Sequence, residues 1–408
     1  MKLLEKLMLG IMCIYLFILP INNFKVDKIE MLFFGILILY NLLCFIIKST
    51  REKAIMDLIM FFKDSLCLAL LIFVVIMCIS VSYSKDKSIA LNEAIRFFSY
   101  VMIFYTIKFK FNEKGYIKKI IAVLYCSAAV VAVVGIYQYI TGGKGVAKEF
   151  KTGFDYTKVK IPSTLDNPNS LAAFMVIAIF PVIMMMIYEK NKLKKSLYGL
   201  FTLAMFFNIV FTFSRSSYVG IGVGLICLLF FYSLKMLIVL VPVFLFGFFN
   251  SKVRERILNI ASNSQNITRI KLWKIALKMI KDHPILGVGN GNYVTRYDEY
   301  VKRYPYLEYG YSHFPVHNSY LKVFSELGII GIVNFISIII LAIIHVKRFI
   351  DMTNDKFFKY FFTGFLAATI AFLVMNTVDN LFFVPKVATF FWVLLALSEA
   401  AYLRERNL

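Results

Sequence analysis

Residues 65–82 read SLCLALLIFVVIMCISVS, a run without a single charge. As a helix rising 1.5 Å per residue, a run of this length covers nearly the whole ~30 Å hydrocarbon core of a bilayer. It must be a helix there, because only a helix satisfies its own backbone polar groups inside lipid. Working outward, comparable apolar runs lie at 5–21, 29–47, 94–108, 117–140, 169–188, 194–212, 216–233, 235–250, 318–345, 357–377 and 382–402. Pro20-Ile21-Asn22-Asn23 reads as a turn and no small-residue cleavage site follows the first run, so that run is expected to stay as a helix. The pattern predicts an all-α fold, a polytopic transmembrane helix bundle of about 12 spans forming a single integral membrane domain over 1–408. Composition agrees: 60% of the 408 residues are apolar and 17% charged, against roughly 25% charged in soluble domains.

The net charge of +22 does not point to nucleic acid, because the basic residues are scattered through short connections rather than gathered on one soluble face. They read as topology determinants. With the N-terminus inside, the cytoplasmic stretches hold 22 Lys and Arg and the opposite short stretches 12. Both termini are therefore expected in the cytoplasm. Cys13, Cys44, Cys67, Cys78, Cys126 and Cys227 all fall within apolar runs, which gives neither metal-ligand spacing nor a disulfide framework. No metal and no cofactor is expected.

Two extracytoplasmic segments depart from the short-loop pattern, one at 141–168 and a large one at 251–317 between spans nine and ten. Segments of such length in a tightly connected bundle are where function concentrates. Within the larger, residues 267–281 read as an amphipathic helix, with Ile270, Trp273, Leu277 and Ile280 on one stripe and Lys271, Lys274, Lys278 and Lys281 on another. Such a helix either lies in the bilayer surface against anionic headgroups or simply exposes its lysines to water. Gly287, Gly289 and Gly291 superficially suggest a dinucleotide-binding loop. No strand precedes them, so tight-turn chemistry is the better reading. Asn167-Pro168-Asn169 is read in the same way.

Four polar positions stand out. Arg215, flanked by Ser214 and Ser216, interrupts two apolar runs where a helix N-terminus would present free N–H groups to an anion. Arg269 opens the amphipathic helix and offers a second guanidinium fork for phosphate oxygens. His317, beside Asn318, stands where the large loop re-enters the membrane, and a neutral imidazole there can accept a proton from a hydroxyl. Glu326 lies further along the same span, and a carboxylate at that depth needs a partner. Position alone leaves other readings open: a snorkelling arginine, an ordinary helix-surface arginine, an interfacial histidine.

The combination of Arg269 to Trp273, Asp282-His283-Pro284-Ile285-Leu286-Gly287-Val288-Gly289-Asn290-Gly291-Asn292, His317-Asn318-Ser319-Tyr320-Leu321 and Glu326-Leu327-Gly328 with Gly331 resembles the O-antigen ligase and O-antigen polymerase superfamily. Phe213-Ser214-Arg215-Ser216 and Asn167-Pro168-Asn169-Ser170-Leu171-Ala172 look like two further signatures, and the resemblance covers roughly 160–345. It implies a metal-independent glycosyltransferase acting at the extracytoplasmic face of a bacterial inner (cytoplasmic) membrane. The donor is an undecaprenyl-pyrophosphate-linked glycan, and the acceptor is a hydroxyl-bearing glycan, lipid or protein. Carried over by motif, Arg215 and Arg269 hold the donor pyrophosphate and His317 is the base or acceptor-positioning residue. Ser214, Ser216, Asn318, Glu326 and Asn169 are supporting positions. Inversion at the anomeric carbon is expected, since the loops show no obvious carboxylate nucleophile. Membrane lipids are expected partners and nucleic acid is not. The competing readings are a polytopic transporter, which should carry ionisable groups and broken helices near the bilayer midplane, and a non-catalytic membrane scaffold.

Overall fold

The computed structural model describes residues 2–22, 26–147, 159–234, 249, 254, 264–308 and 314–406. Among them are fourteen α-helices and no strand: α1 (Lys2–Ile18), α2 (Val26–Ile46), α3 (Lys48–Lys63), α4 (Ser65–Tyr83), α5 (Lys87–Lys110), α6 (Lys114–Ile140), α7 (Pro168–Tyr188), α8 (Lys192–Phe211), α9 (Arg215–Phe231), α10 (Ser264–Asp282), α11 (Tyr293–Arg303), α12 (Ser319–Met352), α13 (Lys356–Met375) and α14 (Pro385–Arg406). Seven of these, α2, α4, α6, α7, α12, α13 and α14, are long and apolar enough to cross a membrane, and α9 is a shorter apolar helix. The chain is a multi-pass membrane protein. The expected span at 235–250 lies outside the described residues except for 249, and so does most of 251–263.

The bundle is organised around α7 and α14, whose side chains are buried along almost their whole length. Helix α7 packs on α13, α13 on α9, and α14 on α5, which in turn packs on α4. Residues 48–63, expected as a cytoplasmic connection, form helix α3 instead. Its buried positions Ala54, Asp57 and Phe61 make one stripe at helical spacing, and Lys110 reaches Asp57 Oδ2 at 2.6 Å. That stripe is short and centred on an acid, which is why hydropathy alone passes over it.

The feature that positions the loop is a break in α12. Gly328 has φ +64° and ψ −164°, a region essentially reserved for glycine. The break frees the carbonyls of Ser325 and Glu326, which accept the N–H groups of Val288 and Gly289 at 2.9 Å each, while Ile329 N–H donates to the carbonyl of Pro284 at 2.9 Å. Residues 284–291 thus replace the missing turn, as backbone groups at membrane depth require. The glycine-spaced segment is indeed a set of tight turns. Gly287 has φ +72°, and a Cβ there would come within 2.4 Å of the Glu326 backbone. From this clasp the segment continues to the α4–α5 corner, where Asn292 Oδ1 accepts from Asp86 N–H at 2.7 Å and Asn290 N–H donates to Ser80 Oγ at 3.2 Å.

Helix α10 exists where the sequence places it, but its faces are turned. Leu272, Ile275, Ala276 and Met279 are buried with Tyr293, Tyr297 and Val316 in a small core of their own; of the expected apolar stripe Trp273 packs against that core and Ile280 is buried, whereas Ile270 and Leu277 are exposed. The reason is α11, which offers α10 an aromatic surface to one side of that stripe. Lys271 donates to the Glu308 carbonyl and Lys278 lies over the Tyr304 ring, so neither lysine is simply solvated.

Gly328→Ala is expected to destabilise the protein, because the new Cβ would meet the Ile285 carbonyl oxygen at 2.1 Å in a backbone conformation that L-residues rarely adopt. A loss of about 1–3 kcal/mol is the scale of such strain. Thermal unfolding of detergent-purified protein measures it, with Gly115→Ala, where nothing lies within 4 Å, as the unaffected control.

Candidate active site

Beside the clasp, at the same end of the bundle, is a cavity of about 260 Å³ lined among others by Asn169, Ser170, His317, Lys322, Glu326 and Asp379. Four segments converge on it, each held by its own local chemistry. Asn318 caps α12, accepting from Leu321 N–H at 2.9 Å, while its own N–H donates to Asn380 Oδ1 at 2.8 Å and its side-chain amide to the Thr377 carbonyl at 2.7 Å. Ser319 adds a bond to Asn376 Oδ1 at 2.6 Å. The start of α12 is thereby locked to the 376–380 turn. Asn167 caps α7 by accepting from Ser170 N–H at 2.9 Å, with Pro168 in the first turn. The segment leading to it is pinned by Gln138, which exchanges two hydrogen bonds with the backbone of Ser163, and by Lys386, which donates to the Thr164 carbonyl at 2.7 Å.

His317 has φ +50°, a left-handed conformation unusual for a residue with a side chain. Its neighbours hold it there. Nδ1 lies 3.1 Å from Asp379 Oδ1, its carbonyl accepts from Trp273 Nε1 at 3.4 Å, and the Phe314 ring lies 5.2 Å from the imidazole. An ionised carboxylate can only accept, so Nδ1 carries the proton and Nε2 is the basic nitrogen in the neutral ring. Arg269 Nη2 approaches the other carboxylate oxygen of Asp379 at 3.7 Å. Asp379 is thus flanked by a histidine and an arginine and is itself buried.

Glu326 is structural. Its carboxylate accepts from Gly291 N–H at 2.8 Å, from Tyr293 N–H at 3.3 Å, and from Lys322 Nζ at 2.7 Å on both oxygens. It anchors the start of α11. Burial, reinforced by Tyr297 and Glu326, holds the phenol of Tyr293 well above its ordinary pKa, so it stays a neutral donor to the Leu272 carbonyl at 2.9 Å.

Of the sequence-selected residues, His317, Glu326 and Asn169 line the cavity, and Arg269 reaches its edge through Asp379. Arg215 does not line it. It opens α9, where a Cβ at Gly220 would come within 2.9 Å of Met375 Sδ, a packing that puts Arg215 at the cavity's end of the bundle. Ser214 occupies the N-cap position without making the expected side-chain cap. Its hydroxyl instead pairs with Ser216 Oγ at 3.0 Å, while its carbonyl accepts from Ser217 Oγ.

Residues 200–336 match the O-antigen ligase family. Over those residues, about a third of the chain, it resembles that family. Among curated proteins, it is similar to the teichuronic acid biosynthesis protein TuaE of Bacillus subtilis (strain 168), 26% identical over an alignment of 344 positions that covers 77% of this chain and 66% of that protein. It is also similar to an uncharacterized protein of Haemophilus influenzae, 22% identical over 237 residues, 53% of this chain and 59% of that one. The chain thus spans somewhat less than two thirds of the length of either relative.

Sequence reasoning missed Asp379 and Lys322 in the cavity, and also a polar cluster at the far ends of the same helices. There Lys108 Nζ lies 2.7 Å from both Asp64 Oδ2 and Glu399 Oε2, and His345 Nδ1 lies 3.2 Å from Glu399 Oε1. Asp64, His345 and Glu399 bring their ligand atoms within 4.8 Å of one another. The Lys108 ammonium already sits between the two carboxylates, so the cluster reads as an electrostatic tie among α4, α5, α12 and α14. Lys108→Met is expected to destabilise by about 3–5 kcal/mol, the scale for stripping one partner from a buried ion pair. Adding Glu399→Gln should recover part of that loss, which a double-mutant cycle by thermal unfolding measures.

Proposed function

We propose that this protein transfers a glycan from an undecaprenyl-pyrophosphate-linked donor to a hydroxyl acceptor at the extracytoplasmic face of a bacterial inner membrane, in cell-surface polysaccharide biosynthesis. The observation that carries this reading is the chain of Arg269, Asp379 and His317 at the edge of a cavity between α7 and α12. Both termini lie in the cytoplasm in this reading, as the basic-residue bias favours. The site then draws on the region 160–345 together with Asp379.

In the proposed reaction the acceptor hydroxyl loses its proton to His317 Nε2 as its oxygen forms a bond to the anomeric carbon. The bond from that carbon to the phosphate oxygen breaks, and undecaprenyl pyrophosphate leaves. Asp379 holds the imidazole in the tautomer that exposes a basic Nε2 and stabilises the imidazolium that forms. Arg269, and Arg215 from the start of α9, hold the pyrophosphate and offset the charge that develops on it. The mechanism draws on no metal ion, since the guanidinium groups supply the positive charge. A single displacement inverts the anomeric centre. Ser214, Ser216 and Asn318 act by shaping the two helix starts, Asn169 by lining the cavity, and Glu326 by holding the loop.

The printed function of the Bacillus relative, teichuronic acid biosynthesis, agrees with a role in building a surface polysaccharide. A transporter is disfavoured because the ionisable clusters lie toward the two ends of the helices rather than midway, and the one break described in α12, at Gly328, falls in its first third.

Kinetics on purified protein with a lipid-linked glycan donor test the assignment. His317→Ala is expected to lower kcat by about 10²–10⁴-fold, the scale of a lost general base. Asp379→Asn should lower it as well, whereas Arg269→Lys and Arg215→Lys should mainly raise KM for the donor, because a point charge does not replace a bidentate fork. Full activity in all four variants would overturn the mechanism.

A further inference from the structure

The cavity holds a cation that the mechanism above does not use. Lys322 lines it from α12, one turn beyond the Asn318 cap, and its side chain is 12% exposed. Its ammonium spends two hydrogen bonds on Glu326 and lies 4.8 Å from the Phe383 ring. An ammonium has three N–H donors, so one remains for a further acceptor. Anchoring the start of α11 does not need the lysine, because the Gly291 and Tyr293 N–H groups already reach Glu326.

Across the cavity is the first turn of α7, represented by Asn169 and Ser170. Of the N–H groups in that turn, Pro168 has none and that of Ser170 is taken by Asn167 Oδ1, which leaves Asn169 N–H and the positive end of the helix dipole. Ser170 is 1% exposed, and its hydroxyl has no hydrogen-bond partner among the described residues. A buried hydroxyl without a partner is unfavourable by itself. It becomes favourable when an acceptor occupies the cavity. The ion pair of Lys322 with Glu326 carries no net charge at rest, and an incoming anion meets one remaining ammonium N–H, a hydroxyl donor and the N–H of Asn169.

We infer that Lys322 and Ser170, with the start of α7, form an anion subsite that takes a phosphate group of the lipid-linked donor. Being set into the span rather than on the loop, it suits a phosphate whose lipid chain stays in the bilayer. It is separate from the anchoring expected of Arg215 and Arg269. The identity of the anion rests on the transferase reading, whereas the existence of the subsite does not.

The test is equilibrium binding of two probes, undecaprenyl pyrophosphate and inorganic pyrophosphate, to the full chain in nanodiscs. Lys322→Met alone would leave the buried Glu326 carboxylate without its cation, so the informative variant is Lys322→Met with Glu326→Gln. Ser170→Ala removes no charge, and thermal unfolding of every variant checks folding. The double variant is expected to bind both probes about tenfold more weakly and Ser170→Ala about threefold more weakly, as loss of a charged and of a neutral hydrogen bond implies. Lys322→Arg should restore most of the affinity. Unchanged binding in folded Ser170→Ala and in the folded double variant overturns the subsite and leaves the transferase reading standing. Lys322-dependent binding of inorganic pyrophosphate by a wild type that ignores the lipid-linked probe upholds the subsite and overturns the transferase reading.

Discussion

Three backbone hydrogen bonds between the 284–289 loop and the broken turn of α12 decide where everything else at this end of the molecule lies. A helix that stops hydrogen-bonding at Gly328 needs acceptors and donors from elsewhere, and in a membrane protein water is not at hand to supply them. The loop provides them. Glu326, carried on the same broken turn, then fixes the start of α11 through Gly291 and Tyr293. Because α11 in turn gives α10 its buried face, Arg269 and Trp273 are brought against His317 and Asp379. The site is assembled by a loop that completes a helix, not by a separate extramembrane domain.

This arrangement explains why ordinary side chains suffice for demanding chemistry. Asp379 is buried and flanked by two groups that can be positive, so its carboxylate can orient an imidazole without binding substrate itself. On the other wall, Glu326 balances the charge of Lys322. Charges arranged in compensated pairs avoid the several kcal/mol that an isolated buried ion costs. In the proposed transfer they leave fixed dipoles and donors where negative charge would develop.

Much of the bundle is legible from apolar runs alone, since a span has to be long, apolar and helical. The motif residues His317, Asn318, Asn169 and Glu326 are legible as well, because they stand at helix starts or at depths where polar side chains need a reason. Asp379 is not, since it sits in a short connection that looks like any turn, 62 residues from the histidine it orients. Lys322 passes for a lysine at the entrance to a span. The tie of Lys108 to Glu399 joins residues 291 apart and leaves no local pattern at all. For α10 the period is readable but the buried face only in part, at Trp273 and Ile280, because the rest depends on α11, whose own placement depends on the break in α12. Arg215 remains apart from the cavity lining, and helix α9 leads directly into the span expected at 235–250.

A glycan profile of cells lacking the protein, complemented with wild type or with His317→Ala at matched expression, tests the central claim most directly. The account predicts that wild type alone restores a surface polysaccharide, with single repeat units accumulating otherwise if the protein polymerises and unattached long chains if it ligates. Restoration by His317→Ala as complete as by wild type, or a deletion that leaves the profile unaltered, would contradict it.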